Sequence, residues 1–153
     1  MIAGTLLSDH QFVCKDGSVQ NKIIVLLSDG QTGTYIVAKA TSKGHRYGLD
    51  FGCQPLGRFP CFFLPRKSCC LELDTWIQLE AFYEFDAYEL EKRVIDVNIC
   101  QIGHLIAHVE ALLICSINSE DITPFQERLL QAALAAHKKS VLKPAGSSDL
   151  ICN

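Results

Sequence analysis

The chain has 153 residues, of which 48% are hydrophobic and 20% charged, and its net charge at pH 7 is −3. This length suits a single domain that buries a sizeable core without needing disulfide staples. A weakly acidic chain has no global attraction for polyanions, so any contact with nucleic acid must come from a local basic patch.

Two stretches bear on where the protein resides. The N-terminus, "MIAGTLLSDHQF", lacks the basic start and long apolar centre of a secretory signal, and "HLIAHVEALLICSIN" is interrupted by His108 and Glu110. We therefore expect a cytoplasmic protein with no membrane segment. The spacing of the eight cysteines is unlike that of a small secreted scaffold, so we expect thiols, with Cys100 and Cys115 as small buried apolar residues.

The first part of the chain consists of short apolar runs separated by turn signals such as Asp29-Gly30. These runs are "FVC", "KIIVLL", "TYIVAKA", "CFFL" and "TWIQLEAFYEF". The second run is short and rich in β-branched residues, which predicts a strand buried on both faces with Lys22 at its edge. Short strands with tight turns indicate a barrel or a curled sheet. The alternating residues 94–99, "VIDVNI", predict a last strand.

The C-terminal part has the periodicity of helices. Between residues 103 and 117, apolar side chains recur at steps of three and four, which predicts a helix docked on the sheet. A second helix is predicted from Pro124 to Lys139, because Thr123 suits an N-cap and Gln126 can complete a capping box. We expect one mainly β domain with two C-terminal helices (α+β) over residues 1–141, and a flexible tail over residues 142–153.

The densest group of reactive side chains lies in "AKATSKGHRYG", around the end of the third apolar run. Four potential cations and two hydroxyl groups fall within eight residues there, and phosphate oxygens can accept hydrogen bonds from all of them. The alternative is a solvated polar hairpin loop with no function. The side chains concerned are Lys39, Thr41, Ser42, Lys43, His45 and Arg46.

The order of three blocks around this loop resembles the MazF/PemK-like toxin family of endoribonucleases. In that family a basic residue leads into an apolar strand, a second strand ends in an apolar-Thr-Ser/Gly-basic sequence, and a later segment reads Asp-x-Val-Ile-x-Leu-Glu. The corresponding stretches here are "KIIVLLSD", "YIVAKATSK" and "DTWIQLEAFYEFDAYELEKR", within a resemblance that covers roughly residues 4 to 117.

The resemblance implies an SH3-like small β-barrel that cuts single-stranded RNA without a metal or other cofactor. It also implies a homodimer or a complex with an antitoxin-like protein, as part of a toxin–antitoxin or related defence system. The high hydrophobic fraction of the chain favours such a partner as well.

The resemblance also assigns roles to individual residues. Lys22 matches the arginine that precedes the family's first long strand, and Thr41 matches the hydroxyl residue that ends the next; both act on the scissile phosphate. In the reaction the RNA 2′-hydroxyl attacks the adjacent phosphorus, and His45 is the nearby group suited to proton transfer at neutral pH. We predict Lys22, Thr41 and His45 as catalytic residues and Asn21, Lys39, Ser42, Lys43 and Arg46 as RNA-binding residues.

Other positions favour a second function. Lys22 is a point charge where the family has a planar guanidinium, and Ala81 and Tyr83 stand where members often have Gln and Arg. The alternative is therefore a catalytically inactive SH3-like barrel that acts as a protein-interaction module in a larger complex. Tyr83 and the neighbouring aromatic residues could stack on bases or belong to the core.

A zinc site is the remaining alternative. On the helix predicted over residues 103–117, His104 and His108 would share a face and could both bind zinc. The sequence contains no Cys-x-x-Cys pair, however, and Cys69 and Cys70 are adjacent, so that in a strand they would point to opposite faces. We therefore expect no metal.

Overall fold

Residues 1–54 and 59–143 are described by the computed structural model, and they form eight strands and three helices. The strand pairs within these ranges are antiparallel, which confirms the predicted α+β class. The strands are β1 (Thr5–Val13), β2 (Val19–Leu26), β3 (Thr34–Thr41), β4 (Gly52–Gln54), β5 (Cys61–Leu64), β6 (Thr75–Gln78), β7 (Tyr83–Asp86) and β8 (Ile99–His104), and the helices are α1 (Ala87–Ile95), α2 (Val109–Ile117) and α3 (Pro124–Leu142).

The strands form one sheet in the order β4-β5-β6-β3-β2-β1-β8, with β7 paired to β3. Strand β3 is central, because β2 pairs along one of its edges while β6 and β7 share the other. The run "TWIQLEAFYEF" is accordingly split into β6 and β7 rather than continuous. Strands β4 and β8 end the order in the described part of the chain, so the sheet there is open and not the closed barrel that we expected.

Strand β2 alternates between two separate cores. Ile24 and Leu26 pack into the cluster that includes residues of α1, and Val25 packs into the cluster that includes residues of α2 and α3. All three side chains are fully buried. Successive side chains of a strand point to opposite faces, so helices on both faces explain a continuous apolar run. The predicted two-sided burial is confirmed, with Lys22 half-buried at the edge of the run.

Helix α1 ends at Ile95 and so takes in the first two residues of the strand predicted over residues 94–99. The helix begins because the Asp86 carboxylate accepts a hydrogen bond from the backbone N–H of Glu89 at 3.0 Å. The expected strand is displaced to β8, which begins at Ile99 and pairs with β1. The alternation of "VIDVNI" was therefore misleading over its first residues, where the local cap favours the helix.

The end of α1 is closed by a Schellman motif with a strained residue. The N–H of Asn98 donates to the Arg93 carbonyl at 2.9 Å, and the N–H of Val97 donates to the Val94 carbonyl at 3.2 Å. Val97 has φ 61°, a left-handed conformation that glycine usually supplies at this position. The motif turns the chain from α1 into β8 at the cost of strain at a β-branched residue.

Helix α2 begins later than predicted, because the first residues of the periodic segment belong to β8. The backbone of His104 pairs with Thr5 of β1, and His108 is the N-cap residue of α2. The two histidines are therefore not on one helix, as the zinc hypothesis required. The described residues contain three helices where the sequence predicts two.

Helix α3 begins as predicted. The Gln126 N–H donates to Thr123 Oγ1 at 3.2 Å and the Thr123 N–H donates to Gln126 Oε1 at 3.0 Å, which completes the capping box. The helix continues past the predicted end to Leu142, so the predicted tail begins inside it, and residues 144–153 lie outside the described residues. Within the described part of the chain, no helix has the length and apolar character needed to cross a membrane.

A disulfide joins β4 to α2. Cys53 and Cys115 are bonded, with their Cα atoms 5.6 Å apart. The expectation of thiols throughout is wrong for this pair, and Cys115 is buried as half of a cross-link. Cys100, also predicted to be buried, is half-buried on β8.

A buried ion pair connects β1 to α1. Asp9 has no exposed surface, and its Oδ1 accepts hydrogen bonds from Arg93 Nη2 at 2.8 Å and from the Gln11 N–H at 2.9 Å. The second carboxylate oxygen, Oδ2, has no hydrogen-bond partner within the described residues. The pair lies where the β1–β2 register shifts between Asp9 and Phe12, so it holds α1 against the irregular part of β1.

Arg93→Met is expected to lower the free energy of unfolding by about 3 kcal/mol, because it leaves the Asp9 carboxylate buried and without its charged partner. Urea unfolding followed by circular dichroism measures this loss. Lys92→Met is the matched control, since Lys92 is exposed on the same helix. Equal losses in the two variants would show that the ion pair contributes nothing particular.

Val97→Gly is expected to stabilise the protein by about 1 kcal/mol, because glycine adopts the left-handed conformation without a Cβ clash. The gain appears as a higher Tm. Val97→Ala keeps a Cβ and should gain less. A destabilised glycine variant would contradict the strain that we assign to this position.

Candidate functional site

Two clefts lie beside the region where β2 and β3 pair. The register places Ile23 opposite Ala40, so the preceding Lys22 and the following Thr41 lie at the same end of the two strands. Lys22 and Thr41 line both clefts, as does Lys43 in the following loop. We call these three residues the junction between the clefts; Gln20 also lines both.

Each cleft holds part of the predicted set. The first cleft has a volume of about 560 Å³ and adds Asn21 and Ser42 to the junction residues. The second has a volume of about 620 Å³ and adds Lys39, His45 and Arg46. The eight residues predicted from the sequence thus surround two adjoining clefts, and none lies elsewhere.

The loop between β3 and β4 is fixed by close packing on Trp76. A Cβ added to Gly44 would lie 2.4 Å from the Trp76 ring, so only glycine allows this approach. Trp76 Nε1 donates to the Gly48 carbonyl at 2.9 Å, and the Tyr47 N–H donates to the Gly44 carbonyl at 2.9 Å. The indole also stacks on Phe63, with ring centroids 4.7 Å apart. These contacts hold the start of the loop against β6.

Thr41 is oriented by the loop that follows it. Its Oγ1 accepts a hydrogen bond from the Lys43 N–H at 3.1 Å. Because the oxygen already acts as the acceptor, the hydroxyl hydrogen can donate to a ligand in the clefts. Thr41 can therefore supply the hydrogen-bond donor that the sequence analysis assigned to it.

The lysines form a concentrated positive charge. Burial lowers the pKa of the Lys22 ammonium from its ordinary value, and the charges of Lys39 and Lys43 lower it further. Among the described residues, none of these lysines has a carboxylate within ion-pair distance. Hydrogen bonds from Ser18 and the charge of Lys39 lower the pKa of Asp16, but Lys39 and Asp16 form no ion pair, so a bound anion would still relieve the repulsion around Lys22.

The second cleft is the more basic of the two. Five lysine and arginine side chains and two carboxylates are among its described lining residues. A local excess of positive charge in a chain of net charge −3 is the patch that nucleic-acid binding requires here. The basic residues are Lys15, Lys22, Lys39, Lys43 and Arg46, and the acidic ones are Asp16 and Glu80.

Arg46 and His45, the last two residues of the predicted stretch 39–46, differ in how they are held. The Arg46 guanidinium lies over the rings of Tyr47 and Phe59, 5.7 Å and 5.0 Å from their centroids. These aromatic contacts orient Arg46 while leaving its N–H groups able to donate. His45 is exposed, and it lines the second cleft but not the first.

A polar network beneath the second cleft was missed by the sequence analysis. Tyr47 O–H donates to Glu80 Oε1 at 2.9 Å, and Gln78 Nε2 donates to the Tyr47 oxygen at 2.6 Å. Burial raises the pKa of Tyr47 to about 12, so its hydroxyl remains a donor at neutral pH. The available signal was the alternation in "TWIQLE", which places Trp76, Gln78 and Glu80 on one side of the strand.

The aromatic residues considered for base stacking divide between core and surface. Phe82 is buried in the core, whereas Tyr83 is half-buried and lines the second cleft. Lys15 Nζ lies 5.3 Å from the Tyr83 ring centroid. Tyr83 is thus the member of the group that can contact a ligand there.

The histidines of the zinc hypothesis are used in backbone contacts. His104 Nε2 donates to the Ala3 carbonyl and His108 Nε2 donates to the Ser68 carbonyl, each at 2.9 Å. Within residues 1–54 and 59–143, no three His, Cys, Asp or Glu side chains are grouped as a metal ion would require.

No model of a known protein family matches the chain, and a search of curated proteins gave no significant match. The likeness to the MazF/PemK-like family therefore consists of the three sequence blocks and their residues.

Lys39→Ala is expected to raise the pKa of Lys22, because it removes a neighbouring positive charge. The recovery should be partial, since burial, the larger cause, persists. NMR titration of lysine side chains measures the shift, and Lys138→Ala on α3 is a control for the loss of one positive charge elsewhere. A Lys22 pKa that stays unchanged or falls in Lys39→Ala would contradict the proposed repulsion.

Proposed function

We propose that the protein is a metal-independent endoribonuclease of the MazF/PemK-like type that acts on single-stranded RNA. The observation that carries this proposal is the junction of Lys22, Thr41 and Lys43 between two clefts. We further propose that the antiparallel sheet is a divergent, open form of the SH3-like barrel of that family.

The arrangement of charge supports a phosphate at the junction. Neighbouring lysines that form no ion pair with a described carboxylate raise the electrostatic energy of the free protein, and a phosphodiester would lower it. A single strand with its phosphate at the junction could place one flanking nucleotide in each cleft. Two adjoining clefts fit such a strand better than one isolated anion.

The reaction that these residues support is intramolecular transesterification. The 2′-oxygen attacks the adjacent phosphorus while the bond to the 5′-oxygen breaks, leaving a cyclic phosphate and a 5′-hydroxyl. Lys43 and the Thr41 hydroxyl would stabilise the non-bridging oxygens, and His45 would accept the 2′ proton. Lys22 would protonate the leaving 5′-oxygen, since its lowered pKa makes it a stronger acid than an ordinary lysine.

A second candidate function is a catalytically inactive protein-interaction module. Exposed apolar side chains in the segments that precede β4 and α2 favour it: Leu49, Phe51 and Ile106 are 74%, 56% and 78% exposed. The Phe51 ring also contacts the His108 ring, 5.5 Å between centroids. In the toxin proposal the same side chains would contact a second copy or an antitoxin-like partner in the cytoplasm.

Cleavage of a long single-stranded RNA in EDTA tests the enzyme proposal. Lys22→Ala and Thr41→Val are each expected to lower the cleavage rate by about 100-fold, because each removes a group that stabilises the transition state. Thr41→Ser, which keeps the hydroxyl, should retain most of the activity. Lys138→Ala controls for the loss of one positive charge.

The outcomes separate the two functions. A parent protein that cleaves no RNA, or cleavage that is equal in all the variants, would contradict the enzyme proposal. RNA binding that depends on Lys22 but leads to no cleavage would leave an RNA-binding protein without catalysis. If the protein neither binds nor cleaves RNA, the interaction module is the better explanation.

A further inference from the structure

Two hydrogen-bond acceptors at the second cleft have no partner. Gln78 is 4% exposed, and its Oε1 accepts no hydrogen bond from the described residues. Glu80 Oε2 is in the same condition. Both residues line the second cleft, and the two oxygens themselves have almost no exposed surface. A buried polar atom without a partner is costly, so two beside one cleft point to a ligand that supplies donors.

The orientation of the Gln78 amide is fixed by its neighbours. Its Nε2 donates to the Tyr47 oxygen at 2.6 Å and lies 3.4 Å from Glu80 Oε1. A flipped amide would place its oxygen against the Glu80 carboxylate oxygen, which is repulsive. The free atom of Gln78 is therefore the carbonyl oxygen, an acceptor.

The network also separates the two oxygens of Glu80. Oε1 accepts from the Tyr47 hydroxyl at 2.9 Å, which positions the side chain. Oε2 takes no part in that contact. The structural role of Glu80 thus uses one oxygen and leaves the other for a ligand.

The charge of Glu80 is opposite to that of the five basic residues that line the cleft, as is the charge of Asp16. A carboxylate repels phosphate, so it does not belong to the phosphate-binding set formed by the lysines. A ligand that satisfies both sets carries a phosphate in one part and N–H donors in another. A nucleotide has this composition.

We propose that Gln78 and Glu80 form a base-recognition pocket at the second cleft that selects guanine. This inference rests on the proposed RNA function and adds a specificity to it. Guanine presents adjacent N1–H and N2–H donors on its Watson–Crick edge, and the pocket offers two acceptors. Adenine, cytosine and uracil each present an acceptor beside their donor on that edge, which would face a carbonyl or carboxylate oxygen.

Binding of short RNA analogues tests the pocket without cleavage. The probes are fluorescent 2′-O-methyl oligouridines with one central guanine, adenine, inosine or 7-deazaguanine. Fluorescence anisotropy should show about tenfold tighter binding of guanine than of adenine. The 7-deazaguanine probe keeps the Watson–Crick edge and should bind like guanine, whereas inosine lacks the N2 amino group and should bind between guanine and adenine.

A pair of variants assigns the preference to Glu80. Glu80→Gln retains an oxygen for Tyr47 but replaces the second acceptor by a donor, so it should lose the preference for guanine. Glu120→Gln makes the same charge change at an exposed position that lines neither cleft and should keep the preference. Circular dichroism and Tm are used to check that each variant is folded. If Glu80→Gln does not fold, the affinities of the four probes for the parent protein still show whether guanine is preferred.

The failure of this inference differs from the failure of the proposed function. If all four probes bind with equal affinity, and Lys22→Ala weakens them all equally, the guanine pocket is overturned. The proposal that the lysines bind phosphate then still stands. A guanine preference that survives in folded Glu80→Gln would also overturn it. No binding of any probe to the parent protein would overturn both.

Discussion

The register between β2 and β3 is the constraint on which the site depends. It is fixed because both strands alternate between two cores, so that a slip by one residue would move each buried side chain to the wrong core. The same register places Lys22 and Thr41 at one end of the pair. Side chains that are too far apart along the chain to meet locally are thus brought together by apolar packing behind them.

The lysine cluster lowers the stability of the folded protein, and contacts elsewhere in the structure offset this loss. Lys22 has lost part of its hydration and lies near Lys39 and Lys43, which disfavours its charged form. The opposing stabilisation comes from remote contacts, such as the packing of β2 on both faces and the Asp9–Arg93 ion pair. Local instability that is retained in this way is typical of functional sites.

Local signals predicted the parts of the structure that local contacts build. The capping box of α3 involves residues three apart, and six of the eight predicted site residues come from the single stretch 39–46. The displaced elements depend on distant partners. Strand β8 exists through its pairing with β1, the Asp9–Arg93 pair spans 84 residues, and the disulfide joins cysteines 62 apart. No pattern within a short window contains that information.

The missed network shows how the two clefts differ in chemistry. Gln78 is the last residue of β6 and Glu80 lies two residues beyond it, while the Trp76 ring of the same strand packs against Gly44 of the basic loop. Strand β6 and the residues directly after it thus contact the basic loop and also carry the two acceptors. Phosphate charge is the same in every nucleotide, so lysines alone can bind a strand but cannot distinguish its bases. In the proposed function, the acceptors of Gln78 and Glu80 would add the directional contacts that distinguish one base edge from another, while Trp76 holds the basic loop against the same strand.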